Sequence, residues 1–151
     1  MLPANVIFAN PPPVPYELDA KTKELIALAK ARPGELLYAS AGSGTSPHLS
    51  MELLNMLAGV RITHVPYKSG PPGLTDVMAG QVQLMATVMN YLLPHVAAGR
   101  LRAFGVTTAK RAMARPDLPT IAESGLPGYE AVQWYSLLAP AKTPRAIIDR
   151  W

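Results

Sequence analysis

The sequence predicts an α/β domain, a mostly parallel sheet with helices on both faces. Three observations point there. Short apolar runs of strand character alternate with amphipathic stretches of roughly ten residues, the pattern of βαβ units. Sixteen prolines and 11 glycines place a breaker at nearly every junction. The connections between segments are then only about two to six residues long, as compact α/β units require.

Val6 to Ala9 is a short apolar run that stops at Pro11-Pro12-Pro13, too stiff for a helix or a central strand. Thr22 to Arg32 is predicted helical, with Leu25, Ile26, Leu28 and Ala29 as its apolar stripe and Pro33-Gly34 as its stop. Leu36 to Ser40 reads as a strand entering the turn Gly42-Ser43-Gly44. The next helix runs from Pro47 to about Ala58, with Ser46 as the expected N-cap and Gly59 just past its end. Arg61 to Val65 is a strand, Gly73 to Ala79 a helix closed by Gly80, and Val82 to Val88 a strand. Tyr91 to Ala98 is a helix closed by Gly99, and Leu101 to Thr107 a strand. Ile121 to Glu123 forms a helical turn, Ala131 to Ala139 a last strand, and Pro144 to Trp151 opens a terminal helix.

Composition bounds the function. Hydrophobic residues make up 49% of the 151 and charged residues 16%, which excludes a disordered chain. Fourteen Lys and Arg against 10 Asp and Glu give a net charge of +4. The basic residues are dispersed, with no cluster denser than Lys110-Arg111, so nucleic acid is not expected as a partner. A mild positive field suits an anionic small molecule instead. There is no cysteine, which removes disulfide and thiolate chemistry. No apolar run reaches the length of a membrane span. Met1-Leu2-Pro3-Ala4-Asn5 does not read as a signal peptide, so the expectation is an export signal already removed or a chain that stays in the cytoplasm.

The segment Tyr38 to His48 carries the chemistry: a strand end, a turn with two glycines, three hydroxyl residues and a helix start. A helix N-terminus leaves N–H groups unpaired and bears partial positive charge, so it favours an anion. Gly42 and Gly44 let the backbone approach a ligand, and Ser43, Thr45 and Ser46 add hydroxyls. The motif lacks the Gly-Lys-Ser ending of a phosphate loop and the third glycine of a dinucleotide fingerprint. Local pattern alone leaves two readings open, an anion site and an ordinary serine-capped strand-to-helix turn.

The segment Tyr38 to Leu49 is followed by Val65-Pro66-Tyr67-Lys68 and Gly70, Gly80-Gln81-Val82-Gln83, Leu93-Pro94-His95 and Ala98-Gly99-Arg100-Leu101. Pro116-Asp117-Leu118-Pro119-Thr120, Glu123 to Tyr129 and Trp134-Tyr135 come after them. In this order the blocks resemble the substrate-binding proteins of the tripartite tricarboxylate transporter, the Bug family. The resemblance implies one lobe of a type II periplasmic binding fold, the second lobe of a two-lobed protein that closes on a carboxylate. Residues at about 1–20 and 139–151 would be the crossovers to a first lobe absent from both ends. It implies a periplasmic protein that serves membrane subunits and needs no cofactor.

Carried over by position, Ser40, Ala41, Gly42, Ser43, Gly44, Thr45, Ser46 and His48 resemble the segment that receives a ligand carboxylate. Tyr67 and Trp134 resemble cleft-facing residues near the hinge. Thr87 stands where members that bind amino acids often carry an acidic residue, so a plain dicarboxylate or aromatic acid is expected over an acidic amino acid.

Other readings were weighed against this one. Ser43 and His48 could form a nucleophile and base, giving a small serine hydrolase, but they lie five positions apart around a helix start, with no Gly-x-Ser-x-Gly elbow. His48, His64 and His95 are far apart in sequence and lack the spacing of a zinc site. Asp76 and Asp117 read as a helix-start and a turn carboxylate. Met51, Met56, Met78, Met85 and Met89 read as gap-filling core residues. The proline run reads as the inter-lobe crossover or, less simply, as a polyproline ligand. A lobe without its companion exposes apolar surface, which predicts a homodimer.

Overall fold

The structure is a computed structural model in which residues 5–9, 22–133 and 138–150 are described. Strand β1 (Asn5–Ala9) is followed by α1 (Thr22–Ala31), β2 (Leu37–Ser40), α2 (Ser46–Ala58), β3 (Thr63–Pro66) and α3 (Gly70–Met78). Then come β4 (Leu84–Val88), α4 (Met89–Ala97), β5 (Arg102–Val106) and a last turn of helix, α5 (Arg145–Ile148). The five strands form one sheet in the order β3-β2-β4-β1-β5. Strand β2 runs parallel to β3 and β4, whereas β1 is antiparallel to β4 and β5. The sheet is therefore mostly parallel, with one reversed strand inserted near its edge.

Alternation along the strands feeds two cores, one on each face. Tyr38, Leu84 and Ala86 point into a layer with Leu25 and Ala29 of α1 and Met51 and Leu54 of α2. Ala39 and Met85 point the other way, against Leu74 and Val77 of α3 and Leu92 of α4. Phe104 and Val106 fall in opposite layers although they are two positions apart. A register shift in the β1–β5 pairing explains this: Ile7 faces Gly105 but Phe8 faces Ala103, so β5 carries an extra residue.

The predicted helices and strands of the middle of the chain are present, with differences at their ends. The N-cap of α2 is Thr45 rather than Ser46, because Ser46 already has helical geometry and precedes Pro47. Helix α3 starts at Gly70 rather than Gly73, since Pro71 and Pro72 occupy first-turn positions where a missing N–H costs nothing. Asp76 consequently sits late in the helix, not at its start, and its carboxylate accepts the Tyr67 hydroxyl at 2.6 Å. Met51, Met85 and Met89 are buried as expected, but Met56 is 70% exposed on the outer face of α2. Residues 131–133 form no strand, and the remainder of the strand expected from Ala131 to Ala139 lies largely outside the described residues, as do the proline run and Trp134-Tyr135.

Candidate functional site

Strands β2, β3 and β4 are parallel, so their carboxyl ends lie along one edge of the sheet. Each runs into a helix: β2 into α2, β3 into α3 and β4 into α4. Helix α2 packs on one face, while α3 and α4 pack on the other. The chain thus leaves neighbouring strands toward opposite faces, which opens a crevice at their ends. A cleft of about 710 Å³ lies there. The starts of three helices border it, through Ser46 and Pro47 of α2, Gly70 and Pro71 of α3, and Tyr91 of α4. Among the described residues no charged side chain lines it.

The loop between β2 and α2 is tied down by its own polar groups. Ser40 is buried, and its Oγ accepts the Gly42 N–H at 3.1 Å while lying 2.6 Å from His64 Nε2. The Thr45 hydroxyl donates to the Gly42 carbonyl at 2.6 Å. The Gly44 N–H donates to His48 Nδ1 at 3.1 Å. Gly42 and Gly44 sit at φ +124° and +79°, so both need glycine's freedom. No protein acceptor meets the N–H groups of Ser43 and Ser46 among the described residues. The Ser46 hydroxyl is buried without a hydrogen-bond partner. Groups at a helix start that lack acceptors of their own suit an incoming anion.

Ala41, Gly44, Thr45, Ser46 and Thr87 line the cleft. Ser40, Gly42, Ser43, His48 and Tyr67 are not among its lining residues. Ser40 and Gly42 shape the loop from behind, and the Tyr67 hydroxyl is turned to Asp76, which pushes its pKa up to about 12. Trp134 lies outside the described residues. Sequence reasoning missed Tyr91 and Gln133, which share the cleft wall. Tyr91 carried a signal, since it stands in the first turn of a helix after a strand end, as Ser46 does.

Behind the loop lies a ring cluster that sequence spacing could not show. His48 and His64 approach to 4.3 Å between ring centroids, and His64 stacks on Tyr38 at 4.8 Å. The Tyr38 hydroxyl donates to Glu52 at 2.6 Å; its burial, reinforced by that carboxylate, pushes the phenol pKa well up. Burial, and secondarily the neighbouring His48, hold the His64 pKa below its usual range. His48 Nδ1 is taken by the Gly44 N–H, and no hydrogen bond joins Ser43 to His48 among the described residues. Among the described residues no three His, Asp or Glu side chains gather to hold a metal ion, and no helix is long and apolar enough to cross a membrane.

The sequence profile of the tripartite tricarboxylate transporter family receptor, TctC, matches residues 3–151. The chain belongs to this family. It is 42% identical over 128 residues to the UPF0065 protein of the tcbD-tcbE intergenic region of Pseudomonas sp. strain P51, covering 84% of this chain and 38% of that protein. It is 36% identical over 143 residues to protein BugT of Bordetella pertussis, covering 95% and 43%. Among solved structures, R. palustris Rpa4515 with adipate superposes with a TM-score of 0.90 at 38% identity, covering 99% of this chain and 48% of that one. MatC from Rhodopseudomonas palustris with bound malate superposes with a TM-score of 0.81 at 30% identity, covering 97% and 48%. The TctC-family chain described here therefore spans about half the length of these solved relatives, as one lobe of a two-lobed protein would.

Proposed function

We propose that this chain is a solute-capturing lobe that holds a small carboxylate, such as a di- or tricarboxylate or an aromatic acid. In this reading it works in the periplasm and delivers the ligand to the membrane subunits of a tripartite tricarboxylate transporter. One observation carries the proposal: around the start of α2, beside the cleft, the N–H groups of Ser43 and Ser46 and the Ser46 hydroxyl have no protein partner among the described residues. Such a site attracts negative charge through oriented dipoles rather than a fixed cation. It also leaves a bound anion free to depart, because no salt bridge has to be broken. Relatives solved with adipate and with malate support a carboxylate as the ligand class.

Leu49, Tyr91 and Val132 line the cleft and are 57%, 48% and 38% exposed. Apolar surface of this kind is suited to burial by a second body, either another lobe or a second copy in a homodimer. Sedimentation distinguishes the two in the isolated chain: a concentration-dependent dimer is expected, and a monomer at all concentrations argues for a separate lobe.

A thermal-shift and calorimetric panel tests the ligand class. Adipate, malate, citrate and benzoate are compared with 1,6-hexanediamine and 1,6-hexanediol. Stabilisation by carboxylates alone is expected. Replacing Ser46 by Ala should weaken carboxylate binding about tenfold, the scale of a hydrogen bond to a charged group. The fold should persist, since the lost hydroxyl has no partner in the protein. Equal stabilisation by the diamine, or by no carboxylate at all, would overturn the proposal.

A further inference from the structure

The tethers that shape the β2–α2 loop differ in kind. One set consists of hydroxyls and backbone: Ser40 Oγ with the Gly42 N–H, and the Thr45 hydroxyl with the Gly42 carbonyl. These do not titrate near neutral pH. The other tether is the single bond from the Gly44 N–H to His48 Nδ1. Gly44 stands at φ +79° with no atom near where its Cβ would be, so nothing else packs on this residue from that side. The same residue lines the cleft.

We propose that His48 is a positioning residue for the anion loop. Its unprotonated Nδ1 holds the Gly44 N–H and fixes the turn that leaves the Ser43 and Ser46 N–H groups for ligand, and proton uptake at that nitrogen releases the turn and weakens capture. The inference rests on the carboxylate-binding reading given above. An imidazole nitrogen accepts a hydrogen bond only while it carries no proton. A proton on Nδ1 turns the acceptor into a second donor facing the Gly44 N–H. It also places a cation in the first turn of α2, at the positive end of the helix. That cation would stand 4.3 Å from the His64 ring. The first two effects push the ring away from the loop.

The groups that face His48 do not offset this. From β3 it meets His64, and from β2 Tyr38, whose ring centroid is 6.5 Å away. Glu52, one turn further along α2, is the acidic residue beside the cluster, and it accepts the Tyr38 hydroxyl and an Asn55 amide hydrogen. The carboxylate is thus directed to Tyr38 and Asn55. His64 is occupied with Ser40 at 2.6 Å and stays at its post in either tautomer, because the Ser40 hydroxyl can donate or accept. His48 is therefore the member of the pair whose role depends on one particular nitrogen being bare.

Two variants separate the acceptor from the ring. His48→Asn retains an acceptor oxygen near the Nδ1 position and cannot titrate, while His48→Phe retains the ring contact and has no acceptor. Adipate binding by this chain is measured calorimetrically at pH 7.5 and pH 5.5. Wild type should weaken about fivefold in acid, the scale of one lost hydrogen bond. H48F should be about fivefold weaker at both pH values, and H48N should restore most of that loss with a flatter profile. Any titration of adipate itself is shared by H48N and so cancels in the comparison. H48F binding like wild type, or H48N following the wild-type pH profile, overturns the proposal. If no variant binds adipate at pH 7.5, the carboxylate reading fails, and the latch is judged by Gly44 amide exchange in the free protein. Protection in wild type and H48N but not in H48F upholds it, and equal protection in all three refutes it.

Discussion

The two sides of the β2–α2 loop are built on opposite principles. On the side away from the cleft, Ser40, His64, Tyr38, Glu52 and His48 form a packed cluster in which each side chain makes a hydrogen bond within the protein. At the helix start beside the cleft, the Ser43 and Ser46 N–H groups and the Ser46 hydroxyl have no protein partner among the described residues. A fully satisfied network is rigid, and an unsatisfied one costs stability unless something arrives to complete it. The contrast teaches that the loop is held from behind so that its front can remain unpaired. In the proposed reading the back determines shape and the front determines affinity.

The comparison breaks most visibly if charge is added to the front. Thr87 lines a cleft in which no described residue is cationic. Thr87→Asp should therefore reduce carboxylate affinity by at least about thirtyfold, roughly 2 kcal/mol for a nearby like charge at intermediate dielectric. Thermal stability should barely change, and calorimetry with adipate beside a melting curve checks both expectations.

An intermediate effect is expected from the back. Tyr38→Phe keeps the buried ring but removes the donor to Glu52, and should cost about 1 kcal/mol in urea unfolding. Affinity should fall less than stability, because Tyr38 does not line the cleft.

The smallest effect concerns pH. His64 is held below its usual range, chiefly by burial, so the folded state resists the proton that the unfolded chain accepts. Stability is thus fully present above the unfolded histidine pKa of about 6.5 and declines as pH falls through it, levelling off below the folded value. His64→Gln should flatten that part of the unfolding-against-pH curve, and an unchanged slope in the variant would assign the effect to other groups.

Much of this architecture was legible in the sequence. Period and breakers placed the middle helices and strands, because Gly59, Gly80 and Gly99 end their segments in left-handed turns that glycine favours. The turn between β2 and α2 was legible because two glycines and three hydroxyls before a helix form a local pattern. What escaped was non-local. Asn5–Ala9 looked like an apolar run cut short by proline, yet it pairs with both β4 and β5, a preference set by its partners. The start of α3 was displaced by Pro71-Pro72, residues that usually stop a helix but are tolerated in its first turn. His48 and His64 lie on different elements, and only the parallel pairing of β2 with β3 brings their rings together. Met56 shows the limit of composition, since one flexible apolar residue on a helix face can remain in solvent.

In the proposed function, unpaired backbone groups around the start of α2 receive the anion. An adipate titration followed by amide proton and nitrogen shifts tests it most directly. The Ser43 and Ser46 amides should move first and furthest downfield with a shared saturation curve, while the Gly42 amide, already bonded to Ser40, should move little. Shifts centred instead on Lys110 to Met113, which line a separate apolar pocket, or no saturable shift at Ser43 and Ser46, would contradict it.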